Sequence, residues 1–134
     1  MPELEVKGVL SRYRDELPEP DPEWPYEVSE AVKCIHENLY NPKLTIKWMK
    51  THCHINGKSF SGRFKIYLYQ YPKSYILHHR IEVSKKLLTQ TSETVTQIAL
   101  IIGFTSLSSF CNTFKAQFDL TPSQWRRSHQ FEQI

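Results

Sequence analysis

At 134 residues, with 40% apolar and 13% aromatic composition, the chain can bury one compact core or two small ones side by side. Its longest apolar run, Ile98 to Phe104 interrupted by Gly103, is far too short to span a bilayer, and no hydrophobic signal segment opens the chain, so a cytosolic protein is expected. The net charge of +3 conceals a division: residues 1–30 carry nine acids against Lys7, Arg12 and Arg14, net −6, whereas residues 31–134 carry fourteen Lys and Arg against five acids, net +9. A small domain with that basic excess attracts polyanions at long range.

Pro18, Pro20, Pro22 and Pro25 alternate with acids between Asp15 and Trp24, a composition that favours an extended, hydrated linker. Met1 to Arg14 reads as either a short helix or an arm, so residues 1–25 form an acidic, Pro-rich N-terminal segment and the folded domain is expected over 26–134. Val28, Val32, Ile35 and Leu39 make the stripe of a first amphipathic helix that Asn41-Pro42 stops. Thr45 caps a second helix carrying Ile46, Met49 and Cys53, and Asn56 caps a third carrying Phe60, Phe64 and Leu68. These two form a helix-turn-helix over about 45–68. Lys73 to Thr89 presents Leu77, Ile81, Ser84 and Leu88 on one face of a long linker helix.

Thr94 and Gln97 form a capping-box pattern that opens a fifth helix, and Ser106 caps a sixth with Phe110, Phe114 and Phe118 inward, a second helix-turn-helix over about 94–118. Thr121-Pro122-Ser123-Gln124 combines a cap, a proline at the first helical position and a reciprocal Gln, opening a C-terminal helix over about 122–131. No hairpin signal competes in the body of the domain. The expected class is all-α, with seven helices. Cys34, Cys53 and Cys111 are odd in number, scattered and set in apolar helical patterns, which predicts small core residues rather than a disulfide framework.

The two helix-turn-helix segments are copies of one another. Thr45, Ile46, Met49 and Ile55 match Thr94, Val95, Ile98 and Phe104 at an offset of 49, and Phe60, Phe64, Lys65, Leu68, Pro72 and Tyr75 match Phe110, Phe114, Lys115, Phe118, Pro122 and Trp125 at an offset of 50. The single-residue change falls in the turn, where it puts no packed face out of phase. Two copies are too few for a solenoid and indicate two half-domains.

A helix-turn-helix sets its second helix into the DNA major groove, so that helix needs an apolar face for its own core and short or polar residues opposite. In the first copy Lys58, Ser61, Gly62 and Lys65 fall on the outer face, and in the second Leu107, Ser108, Cys111, Asn112 and Lys115. A seventeen-residue linker helix spans about 25 Å, which with the width of the flanking helices sets the two reading helices roughly 34 Å apart, one turn of the duplex. One monomer could then occupy two successive major grooves.

Val95-Thr96-Gln97-Ile98-Ala99, Gly103-Phe104, Ser108-Ser109-Phe110, Phe114-Lys115 and Thr121-Pro122-Ser123-Gln124-Trp125-Arg126 together closely resemble the signature of the AraC/XylS family of bacterial transcription regulators. Tyr75-Ile76, Arg80-Ile81 and Leu87-Leu88 resemble its linker helix, and the likeness covers about Tyr26 to Arg127. The resemblance implies a seven-helix domain with two helix-turn-helix units that binds double-stranded promoter DNA, usually to activate transcription by recruiting RNA polymerase.

By alignment with the family, base-reading positions fall on Lys58, Ser61 and Gly62 in the first unit and on Leu107, Ser108 and Asn112 in the second. Asn112 has the amide that pairs bidentately with adenine. Lys65, Lys115, Thr94, His79 and Arg80 are expected to contact phosphate or serve as scaffold. Four positions depart from the family pattern. Gly62 stands where an Arg is frequent, so that Arg63 either substitutes for it or turns elsewhere; Lys50 stands where a small residue, matched by Ala99, is usual; and Tyr69 and Asp119 replace common glycines.

A metal reading of His52, Cys53 and His54 is disfavoured, because adjacent helical residues point about 100° apart and no other His or Cys pair has ligand spacing. Nothing marks a nucleophile with an oxyanion site, so no enzymatic activity, cofactor or metal is expected. Two other readings stand beside the regulator. One is a helical interaction module whose basic face docks an acidic partner; the other is an acidic N-terminal segment folded over the basic face, to be displaced by DNA. The roughly 25 residues ahead of the first expected helix are too few for a ligand pocket, which leaves three readings: control by abundance, signals through a partner, or a fragment of a longer chain.

Overall fold

The computed structural model describes residues 2–55 and 59–130, and among them it is all-helical. Eight helices follow in chain order: α1 (Pro2–Asp15), α2 (Tyr26–Glu37), α3 (Ile46–His52), α4 (Phe60–Leu68), α5 (Pro72–Gln90), α6 (Val95–Ile101), α7 (Leu107–Phe118) and α8 (Pro122–Gln130). None is long and apolar enough to cross a membrane.

The helix starts follow the expected capping chemistry. The Thr45 hydroxyl accepts from the Trp48 amide, Ser106 accepts from the Ser109 amide, and Thr94 and Gln97 close a complete capping box. Thr121 and Gln124 exchange the same reciprocal pair of bonds at the head of α8. Asn56, expected to cap the third helix of the domain, lies outside the described residues; α4 begins after Ser59, whose side chain makes no capping bond.

Two cores lie side by side, and α5 serves both. Tyr75 and Ile76 join Val32, Ile35, Met49 and Phe64 in the first. Ile81, Val83, Leu87 and Leu88 join Ile98, Phe110 and Phe114 in the second. The halves also share an internal device. Arg80 donates from Nε to the Leu39 carbonyl (2.8 Å) and from Nη2 to that of Asn41 (2.8 Å). Arg126 donates from Nε to Leu88 (2.8 Å) and from Nη2 to Thr91 (3.3 Å). Each guanidinium thus ties the carbonyls that end one helical segment to a helix beyond the following helix-turn-helix. The Phe64–Tyr75 and Phe114–Trp125 edge contacts repeat likewise, as do the Tyr75–His79 and Trp125–His129 pairs.

Two departures from the sequence reading stand out. First, Pro2–Asp15 takes the helical one of its two expected forms, which makes eight helices where seven were expected. Val6, Val9, Leu10 and Tyr13 fall at i, i+3, i+4 and i+7; Val6 and Val9 are buried in the second core, and the Leu10 carbonyl accepts from the Tyr40 hydroxyl (2.9 Å). The acids of the N-terminal segment mask this short stripe. From there the Pro-rich connector crosses to the first core, against which Leu17 and Trp24 pack.

Second, Cys34 and Cys53 form a disulfide, with Cα atoms 6.1 Å apart, where unpaired core cysteines were expected. The packing of α2 against the first helix-turn-helix brings together two cysteines separated by 19 positions, a proximity that their spacing does not reveal. Cys111 is a free, half-buried thiol.

Candidate nucleic-acid interface

The outer faces of α4 and α7 carry the expected base-reading positions. On α7, Phe110 and Phe114 are fully buried, which turns the opposite face outward: Leu107, Ser108, Asn112 and Lys115 are all exposed. The Asn112 amide makes no hydrogen bond within the described residues, so its donor and acceptor remain available to a base edge.

On α4, Phe60 and Phe64 are buried in the same way, Gly62 and Lys65 are exposed and Ser61 is half-buried. Nothing stands within 4 Å of where a Cβ on Gly62 would lie, so packing does not require glycine there. Lys58 lies outside the described residues. Arg63 takes the second of its two expected courses: its Nη1 lies 3.4 Å from the Glu27 carboxylate on α2, and its Nη2 lies 3.4 Å from the Ser59 hydroxyl. The second helix therefore offers a bidentate amide, while the first offers small residues and a lysine.

Among the expected phosphate contacts, Lys65 and Lys115 are exposed near the ends of their helices, Lys65 over the Tyr71 ring at 4.5 Å. Thr94 is exposed but uses its hydroxyl in the capping box. Arg80 is not a phosphate contact. It is only 6% exposed, and its guanidinium serves the Leu39 and Asn41 carbonyls. Burial pushes its pKa down to about 10, which leaves it charged at neutral pH.

His79 also turns inward, hydrogen-bonded through Nδ1 to the Tyr13 hydroxyl on α1 (2.6 Å). Burial, then the neighbouring His78 and His36, lower its pKa to about 4. A neutral imidazole already bonded in this way has no charge to offer a phosphate. The remaining departures have simple settings. Lys50 is exposed although its counterpart Ala99 is fully buried, and Tyr69 and Asp119 both end their helices in the left-handed backbone region.

Cys53 is bound in the disulfide, and His52 stacks on Trp48 with ring centroids 4.2 Å apart. Among the described residues no group of three His, Cys, Asp or Glu is disposed to hold a metal ion. Sequence reasoning missed the carbonyl-binding role of Arg80 and Arg126. Their offset of 46 differs from the 49 and 50 of the repeat, so alignment of the copies does not pair them.

Comparison with known proteins agrees with this geometry. The family model of a helix-turn-helix domain matches residues 50–128. The melibiose operon regulatory protein of Escherichia coli (strain K12) is 34% identical over 103 residues, 77% of this chain and 34% of its own. A transcriptional regulator structure from Chromobacterium violaceum, described as containing an AraC-type DNA-binding domain, superimposes with a TM-score of 0.63 at 28% identity, covering 78% of this chain and 91% of that one. The DNA-binding domain of AdpA, solved with a target DNA, shares the fold with a TM-score of 0.71 at 19% identity, covering 79% of this chain and 95% of that one.

The chain belongs to the AraC-type family of DNA-binding helix-turn-helix transcription regulators. It spans about a third of the length of the curated relatives it matches.

Proposed function

We propose that this chain regulates transcription by binding promoter DNA as a monomer, with α4 and α7 in successive major grooves of one duplex face. The observation that carries this reading is the duplication. Two helices with the same inward phenylalanine pair and the same outward short or polar face are tied to one α5, whose nineteen residues span about 28 Å. That length suits two readers one helical turn apart. Asn112, Ser108 and Leu107 read bases from α7; Ser61 and Gly62 do so from α4, joined by Lys58 ahead of it in the sequence, with Arg63 held back by Glu27; and Lys65, Lys115 and Thr94 meet phosphate.

The small-residue face of α4 gives affinity, while α7 gives most of the sequence preference. Activation through contact with RNA polymerase is the expected outcome of binding, in the cytoplasm at the nucleoid. The names of the relatives, one an operon regulator and one a domain solved with target DNA, favour the same reading.

The test is titration of the protein onto promoter fragments and random duplexes at several salt concentrations. A preference for one sequence by a factor of 10³ or more is expected, with one protein per site. Asn112→Ala should relax discrimination at one base pair by about 1–3 kcal/mol. Equal binding to every duplex would favour the rival reading, a basic face that docks an acidic protein.

A further inference from the structure

Between the two halves a cleft of about 560 Å³ opens over α5. Leu44, Ile76, Leu77 and Phe104 are among its apolar lining residues, and the polar ones are Lys47, Lys73, Thr45, Thr105, Ser109 and Arg80, the last with its guanidinium engaged by the Leu39 and Asn41 carbonyls. No Asp or Glu lines it, in a chain with fourteen acids. Lys47 and Lys73 are exposed and pair with no carboxylate among the described residues.

The two walls identify the occupant. One is the start of α3, the first helix of a helix-turn-helix, the element that crosses the DNA backbone in this motif. The other is Thr105 and Ser109, which flank the exposed reading positions Leu107 and Ser108 at the head of α7. The cleft therefore adjoins the reading face of α7 and lies between the head of that helix and the first half's α3. When two helices occupy successive major grooves, the stretch of duplex between them presents its minor groove and the sugar-phosphate strands that border it.

We propose that this cleft seats that intervening sugar-phosphate backbone, with Lys47 and Lys73 neutralising its phosphates and the apolar floor lying against sugar. The inference rests on the two-groove reading. It adds two cations from outside the readers, one on α3 and one at the first turn of α5, to the sequence-independent part of binding.

The experiment compares wild type, Lys47→Ala/Lys73→Ala and the charge-keeping Lys47→Arg/Lys73→Arg on a target duplex and on a random duplex across a salt series. Both lysines are exposed, so the fold is retained, and circular dichroism checks this. The alanine pair should weaken both duplexes by a similar factor and lower the slope of log K against log salt by about 2, while the arginine pair keeps the wild-type slope. Methylphosphonate linkages, which remove charge, placed midway between the two recognised major grooves should weaken wild type and leave the alanine pair unaffected. An unchanged slope in the alanine pair, or wild type indifferent to the central methylphosphonates, overturns the proposal. Failure of the underlying two-groove reading looks different: the bases protected by wild type would then lie in a single major groove, not in two that are one turn apart.

Discussion

Gly103 leaves room for Arg80: a Cβ at Gly103 would stand 2.8 Å from Arg80 Cζ. Gly103 lies in the turn of the second helix-turn-helix at φ 106°, and Arg80 is the buried residue of α5 that holds the end of the first half's leading segment. The contact therefore joins a turn in one half to a guanidinium that serves the other. Gly103→Ala meets both the backbone strain and the close approach, so it should destabilise the fold by about 2–4 kcal/mol, read from urea unfolding. A loss within about 0.5 kcal/mol, the range of an ordinary surface substitution, would contradict this account.

Tyr69 and Asp119 point to the opposite effect. They end α4 and α7 at φ 64° and φ 59°, and Tyr69 is 89% exposed, so little packing compensates its strained backbone. Tyr69→Gly should stabilise the domain by about 1 kcal/mol. Asp119→Gly should gain less, because aspartate tolerates this region better. Thermal unfolding of the two variants tests the order.

The cluster joining α1, α2 and α5 predicts a pH dependence. His79 contacts Tyr13, Tyr75, His78 and His36, and His36 bonds the Tyr75 hydroxyl at 2.6 Å. Burial is the first cause that lowers both imidazoles, His79 to about 4, whereas Glu19 partly offsets the effect on His36. The unfolded chain takes up these protons first, near pH 6.5. The stability they contribute is therefore complete above that value, is lost as pH falls from about 6.5 towards 4, and then levels off. Solvent reaches the cluster, so the loss between pH 7.5 and 5.5 should be on the order of 1 kcal/mol. The urea midpoint at the two values measures it, and His79→Gln should flatten the difference.

Reduction of Cys34–Cys53 should lower stability by about 3 kcal/mol, the loop-entropy value for a closure of this length. Urea unfolding with and without a dithiol reductant reads the change. Cys34→Ser/Cys53→Ser should match the reduced wild type and show no further response to reductant. An identical midpoint in both conditions would mean that the link adds nothing.

What could be read in the sequence was local. Thr45, Thr94, Ser106 and Thr121 announced their helices because capping depends on residues three positions apart, and the phenylalanine pairs announced the buried faces because helical period is local too. What could not be read depends on distant chain segments. The Leu39 and Asn41 carbonyls lie about forty positions from Arg80, and Tyr13 lies 66 from His79. An exposed arginine on a linker helix and a buried one carry the same letter. The stripe of α1 was present but short, and among the surrounding acids it left helix and arm both open.

Since α5 supplies side chains to both interiors, and the N-terminal strap reaches from one to the other, neither lobe has a boundary along which it can melt by itself. Heating should dissolve both lobes in one cooperative step. A destabilising change in either one would then unfold the distant helix-turn-helix along with its own.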